Sequence, residues 1–426
     1  MNGLALTPND LGVKGMLDGY RVLDLTNEIG PLCGKLLGDL GADVIKIEKP
    51  DGDSSRNIGP FFQDTPHPEK SLYWFAYNAS KRGITLNIET LDGAKIFKNL
   101  VKTAAVVVES FKPGYLDELG LGYSELNKIN PQIIMTSITP FGQTGPYSQY
   151  KGADIVNWAL SGMMLLTGDP DRPPVQISHV PQSWLHGGAD GAVGTAMALY
   201  RRALSGTGQH LDVSIQESLE KVAMQSHLMW SLLKREAWRG GVVKTPPSGT
   251  VTRFVWPCKD GYVLFYPFSG PMGQQATRPV VDLLERDGMA DDFLSSLDWS
   301  TLDWGQTPQE EADRIEGYFA RYFKTRTKEE LFADAVKNRL LIQPINTAKD
   351  IMEHKQLEAR GYWQKVDHPE LGLKMTYPGA FIKASKTTCQ ARRRAPLLAE
   401  HNREIYVKEL KLSTEQLTIL KQSGVI

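Results

Sequence analysis

Cysteine is scarce in this sequence. Cys33, Cys258 and Cys389 are the only three among 426 residues. They are far apart, odd in number and without metal-ligand spacing, which argues against a disulfide framework and against a zinc site. Such usage fits a reducing cytoplasm. Charge of one sign is also missing: 48 basic residues face 49 acidic ones, a net charge of −1. That removes any bulk electrostatic case for nucleic acid or an anionic membrane as partner. No apolar run approaches the ~20 residues that cross a bilayer. Residues 1–14 hold no apolar core of signal-peptide length. There is no P-loop, G-x-S-x-G, H-E-x-x-H or C-x-x-C. The eight histidines are scattered. His179 and His186 lie closest together, without the carboxylate or cysteine cluster a metal would need. The expectation is a cytoplasmic protein with no metal, no covalently bound cofactor, and no nucleic-acid or membrane partner. The short basic run Arg392-Arg393-Arg394 reads as a solvated loop or, alternatively, a phosphate contact.

What is present is ordinary globular composition, 41% hydrophobic and 23% charged. The length is too great for one compact core and points to two domains. Residues 20–25 (YRVLDL) read as a buried strand, and 31–40 as a helix with Pro31 in its first turn and Gly41 as its stop. Residues 44–47, 84–88, 105–108 and 133–138 continue as strands, with helical patterns such as 91–101 between them. This alternation predicts an α/β fold with a parallel sheet covered on both faces. Residues 186–204 read as a long helix carrying Gly187, Gly188, Gly191 and Gly194, tolerable where another backbone or a ligand comes close. Residues 210–214 form a strand and 215–233 a helix. Gly240-Gly241 and Pro246-Pro247 look like a linker. A strand at 262–266 and helices at 310–322 and 328–338 suggest a second, smaller domain. A helical segment beginning at 395–400 and a last helix at 414–422 suggest a return to the first. The strand–helix–strand unit at 20–48 lacks the G-x-G-x-x-G of a dinucleotide site, so its glycines are read as packing.

Several segments together resemble one family. They are residues 23–48 (LDLTNEIGPLCGKLLGDLGADVIKIE), 78–86 (NASKRGITL), 107–122 (VVESFKPGYLDELGLG), 130–147 (NPQIIMTSITPFGQTGPY), 206–214 (GTGQHLDVS) and 395–400 (APLLAE). In order and spacing the chain is similar to family III CoA-transferases, the group of formyl-CoA transferase, carnitine CoA-transferase and α-methylacyl-CoA racemase. The resemblance runs from about residue 18 to the C-terminus. It implies a Rossmann-like large domain with an inserted small domain, here 1–235 and 346–426 around 236–345. It also implies an interlocked, intertwined-ring dimer.

In such transferases an aspartate carboxylate attacks the acyl-CoA thioester, giving a mixed anhydride and then an aspartyl-CoA thioester. Only an acyl-accepting side chain can hold CoA covalently in this way. By motif position that aspartate falls here on Ser183 or Trp184, with no acid nearby. Asp190 lies six or seven residues on, about 9–10 Å along a helix. Ser183 as a nucleophile would need a base such as His179 or His186; plain packing of Ser183 and Trp184 is the simpler reading. The racemase histidine falls on Ala153, while Asp154 persists in a structural role. No catalytic residue is therefore expected.

The resemblance also places CoA-binding residues. Lys151 matches a CoA-contacting lysine, Ser110 and Phe111 the step beside the nucleotide, and Leu119 an apolar contact to adenine. Lys49 and Lys81 fall where basic residues approach the phosphates, although a solvated surface role is equally open to both. Glu28 stands where a polar active-site glutamine is found. Gly270-Pro271-Met272-Gly273 matches a mobile glycine loop. Benzylsuccinate CoA-transferases of anaerobic toluene degradation are heteromers in which one chain lacks the aspartate. The sequence resembles that type, implying a non-nucleophilic subunit with a homologous aspartate-bearing partner. CoA thioesters of the succinyl-CoA kind would be the substrates, with an aryl-succinate as acceptor. A stand-alone acyl-CoA isomerase or lyase, or a CoA-binding scaffold, are the alternatives.

Overall fold

The computed structural model describes residues 14–244 and 250–426. Pro246 and Pro247 of the expected linker lie outside these. The chain divides into two compact units. One comprises residues up to Met163 with Ser178–Leu228 and Gln356–Ile426; the other comprises Met164–Ile177 and Met229–Lys355.

The first unit is built on six parallel strands: β1 (Arg21–Leu25), β2 (Asp43–Glu48), β3 (Lys81–Thr85), β4 (Val106–Glu109), β5 (Ile134–Thr139) and β6 (His210–Ser214). Their spatial order is β3-β2-β1-β4-β5-β6. Alternate residues feed two cores. Leu23, Ile45, Ile47, Ile84, Val107 and Met135 point to one face, and Val22, Val44, Val106, Val108, Ile134 and Ile138 to the other. Both faces are apolar because both are covered, as in a doubly wound fold. The order reverses between β1 and β4, which makes a crevice at their C-terminal ends.

The helix Pro31–Asp39 starts on a proline, and Leu91–Val101 on a Thr90 cap that accepts from Gly93 N. The long glycine-rich helix runs Ser183–Ser205, three residues earlier than its apolar pattern begins. A carboxylate outside the helix caps it, as described below. Its glycines serve close approach: a Cβ on Gly188 would lie 3.0 Å from Leu32 Cβ and 3.3 Å from Cys33 N.

Several expectations are corrected. The third strand lies at Lys81–Thr85 rather than 84–88, since Lys81 and Arg82 are buried by ion pairing and do not read as core. The helix expected over 215–233 is broken into Ile215–Glu220, a 3-10 turn at Lys221–Ala223, Met224–Leu228 and a π turn at Met229–Leu233. Residues 395–400 are not helical; the helical segment is Arg403–Glu409. The segment containing them returns to the first unit. Trp74 Nε1 and Arg56 Nη2 donate to Pro396 O at 3.0 and 3.1 Å, and Asn87 N donates to Val425 O at 2.7 Å.

The second unit carries an antiparallel three-stranded sheet of Val255–Cys258, Gly261–Phe265 and Ile342–Ile345. The helix Gln309–Lys324 packs Phe319 and Phe323 onto Trp256 and Phe265 with ring centroids 5.1–6.3 Å apart. Arg239 ties the two stretches of this unit together by donating to Asp169 O and Arg172 O. Gly270-Pro271-Met272-Gly273 is the first turn of the helix Gly270–Ala276 rather than a loop.

Candidate active site at the sheet switch point

The crevice between β1 and β4 is framed by two loops held to each other. Ser110 Oγ accepts from Asn27 N and donates to Asn27 Oδ1, both at 2.9 Å. Beneath them lies a buried ionic floor. Lys81 Nζ meets Asp24 Oδ2 at 2.7 Å, and Pro31 O and Asn78 Oδ1 at 2.8 Å. Lys46 Nζ meets Asp53 Oδ2 at 2.9 Å and also donates to Thr26 O. Burial would push the Asp24 carboxyl up, but Lys81 and Lys46 outweigh it and hold it below the usual range. A Cβ on Gly34 would sit 2.1 Å from Asp24 Oδ2, so only glycine lets the helix Pro31–Asp39 rest on this floor.

Two pockets open at the crevice and share Asn27 and Phe111. One, of ≈ 400 Å³, is lined by Ser110, Tyr150 and Lys151 among others. The second, of ≈ 280 Å³, is lined by Lys49, Ser54, Ile88 and Tyr115. Lys151 is exposed at the rim. Lys49 is half-exposed and meets Glu89 Oε1 at 2.8 Å. Leu119 packs partly buried on the core and lines neither pocket. Lys81 is placed differently from the expectation of a phosphate-facing lysine: it is fully buried, and its three N–H bonds have three protein acceptors. Glu28 accepts from the Ser54 hydroxyl.

Ser183 and Trp184, the two positions to which the resemblance assigns the family's aspartate, lie at the start of the glycine-rich helix. Ser183 is fully buried at the first turn of the glycine-rich helix. Its hydroxyl and backbone N–H both donate to Asp154 Oδ1 at 2.7 Å, and Gln182 N donates to the same oxygen at 2.9 Å. Asp154 thus caps this helix start from outside. Trp184 is half-buried against the core. Its indole N–H is buried without a hydrogen-bond partner among the described residues. His186 stacks edge-on to Trp158 at 6.2 Å, and Asp190 pairs with Lys221.

Sequence reading missed Glu109. It ends β4 beside the crevice, where a carboxylate closing an apolar run is the available signal. It lines a further pocket of ≈ 250 Å³ with Ser137 and His210. Burial pushes its carboxyl up to about 7, against hydrogen bonds from Ser137 and the Phe111 N–H. Among the described residues no cluster of His, Cys, Asp or Glu is arranged to hold a metal ion. None of their helices is long and apolar enough to cross a membrane.

The chain is similar to known proteins over nearly its whole length. It is 36% identical over 396 residues to succinyl-CoA:(R)-benzylsuccinate CoA-transferase subunit BbsE of Thauera aromatica, covering 91% of this chain and 93% of that one. It is 33% identical to formyl-CoA:oxalate CoA-transferase of Streptomyces coelicolor, covering 96% and 99%. A crystal structure of a CAIB/BAIF family protein from Brucella suis matches with a TM-score of 0.78 at 30% identity, covering 93% and 99%. The model of CoA-transferase family III matches residues 17–402. With a parallel sheet, a switch-point crevice and this match across the chain, the protein belongs to CoA-transferase family III.

Proposed function

We propose that this chain is the non-nucleophilic subunit of a heteromeric family III CoA-transferase. It would act in the cytoplasm with a homologous, aspartate-bearing partner in an interlocked dimer, its residues 236–345 forming the inserted small domain. The enzyme would move CoA from a succinyl-CoA-type donor to a carboxylic acid such as an aryl-succinate.

One observation carries the reading. At Ser183 and Trp184, the two positions matched to the family's acyl-accepting carboxylate, this chain has no acid, and the Ser183 hydroxyl is committed to Asp154 Oδ1. That oxygen takes two backbone N–H bonds as well. All three donors belong to the start of the glycine-rich helix, so the carboxylate serves there as a cap and the Ser183 hydroxyl is one of the groups it holds. The resemblance to BbsE, named as a subunit, supports the heteromer.

In this reading CoA lies in the switch-point crevice. Lys151 and Lys49 face its phosphates as point charges, and Phe111, shared by both pockets, offers its ring to the nucleotide. Ser110 stands beside the nucleotide and fixes its loop through Asn27. Leu119 acts from below, by packing. Lys81 holds Asp24 instead of a phosphate.

The test is reconstitution. Co-expression with a homologue that carries the aspartate should give succinyl-CoA-dependent CoA transfer to benzylsuccinate, and this chain alone should give none. Turnover by the isolated chain would falsify the proposal.

A further inference from the structure

The arginine run at 392–394 is not used by the switch-point crevice. It lies beside the N-terminal ends of β2 and β3, at the opposite end of the sheet. Arg392 Nη1 donates to Gly41 O at 2.7 Å, just before β2. Ser80 N donates to Arg393 O at 2.9 Å, just before β3. Next to the run an open cavity of ≈ 570 Å³ is lined by Lys365, Arg392, Arg393, Arg394 and His401, with Asp367 and Glu400.

The carboxylates around this cavity are already engaged. Arg394 holds Glu400 and Glu370 at 2.9 and 2.8 Å. Arg82 holds Asp43, Glu404 and Glu409. Asp367 pairs with Lys374 at 3.1 Å. Three basic side chains of the lining, Arg392, Arg393 and Lys365, are less engaged. Besides its bond to Gly41 O, Arg392 reaches Asp18 at 3.6 Å, and among the described residues Lys365 meets only the Thr376 hydroxyl. Among the described residues the Arg393 guanidinium has no hydrogen-bond or ion-pair partner. Partial burial lowers its basicity and the like charges of Arg82 and Arg392 add to that, while the carboxylates of Asp43 and Glu404 oppose it. His401 Nδ1 accepts from Gly83 N at 3.1 Å. In the neutral ring the proton therefore sits on Nε2, which makes that nitrogen a donor.

We infer that this cavity is an anion site for a small phosphorylated molecule. Arg392 and Arg393 supply planar donor forks matched to phosphate oxygens, Lys365 a point charge, and His401 a neutral donor. An anion there would give the Arg393 guanidinium the hydrogen-bond acceptors that it lacks among the described residues. The cavity exceeds the volume of a phosphate alone. Val366, Pro369 and Ala391 also line it, giving the organic part of an ester an apolar wall. A simple dicarboxylate would fill the forks less completely, with planar groups carrying one charge each.

The experiment is a titration of the full-length protein at constant ionic strength with inorganic phosphate, phenyl phosphate and succinate. Calorimetry and phosphorus NMR line width are the readouts. Phenyl phosphate is expected to bind saturably and more tightly than succinate. Arg392→Gln with Arg393→Gln should weaken it by about tenfold or more, and Lys49→Ala, in the other crevice, should leave it unchanged. The unliganded unfolding midpoint checks each variant's fold. Arg393→Gln alone, which removes no hydrogen bond or ion pair among the described residues, serves if the double variant is unstable. No saturable phosphate binding, equal affinity in the arginine variants, loss in Lys49→Ala instead, or tighter binding of succinate would each overturn the assignment.

Discussion

At the residue scale, the chemistry turns on which side chains are committed and which are free. Ser183 is committed. Replacing it with alanine removes one of three donors to Asp154 Oδ1, a cost of about 1–2 kcal/mol in urea unfolding. The reconstituted heteromer should retain its turnover, because the helix start keeps both backbone donors. A loss of several orders of magnitude would instead make Ser183 the nucleophile. Glu109 is committed differently. Its carboxyl rises from 4.5 to about 7 because burial disfavours the charge. Between those values the folded state holds a proton that the unfolded state has lost, so stability falls as pH rises through the window. The full penalty, at most about 3 kcal/mol, is present above pH 7. Glu109→Gln should flatten the stability profile between pH 5 and 8 and raise stability at pH 8; a profile unchanged in the variant would assign the dependence elsewhere. The family resemblance pointed to Ser110, Phe111, Lys49 and Lys151, and these four line the pockets of the crevice. It could not distinguish Lys81 from them. A lysine's sequence neighbours do not say that an aspartate 57 positions away, Asp24, will take its charge.

At the element scale, what decides the packing is where a helix may approach. The helix Pro31–Asp39 touches the ionic floor through Gly34 and the glycine-rich helix through the Gly188 contact. Gly34→Ala would drive a methyl into the Asp24 carboxylate, which Lys81 and Thr26 hold in place. A loss of about 1–3 kcal/mol is expected, exceeding the gain in helix propensity of about 1 kcal/mol. Gly194 is the contrast. A Cβ there meets only Leu211 Cδ1, at 3.7 Å, so Gly194→Ala should stabilise by about 0.5–1 kcal/mol. Thermal unfolding of the two variants reads both signs; the same sign for both would discard the distinction. The strands, and helices such as Leu91–Val101, were legible because hydrophobic period and caps agree there. The start of β3 was not, because Lys81 and Arg82 break the apolar pattern and are buried by distant partners. The break-up of the segment after Ile215 was not legible either, since its apolar spacing is equally compatible with one continuous helix.

At the scale of the whole molecule, the same glycine-rich helix has an outer face that calls for a covering. Gly187, Gly188, Gly191, Thr195 and Ala198 are buried on the inner side. Val193, Met197, Tyr200 and Leu204 follow one another on the outer side at helical spacing, each 60–73% exposed. An apolar stripe of this kind on a helix is a mark of an interaction surface. It lies on the helix that begins at Ser183, one of the two positions that the resemblance matches to the family's aspartate. The heteromer reading therefore assigns the stripe to the aspartate-bearing homologue. Met197→Glu and Tyr200→Glu change side chains already in water, so the unfolding free energy of the isolated chain should move by no more than about 0.5 kcal/mol. In the complex the same substitutions would bury an unpaired carboxylate, at a cost of several kcal/mol. Co-purification with the partner should fall sharply, and succinyl-CoA-dependent transfer with it. If the partner is retained at full stoichiometry, the stripe faces something else and the subunits meet on another surface. If the isolated variants unfold, the stripe is part of the fold and not a docking face. Only a chain that folds normally and pairs poorly matches the proposal, because exposure in the single chain and burial in the pair are what the heteromer requires of these two positions.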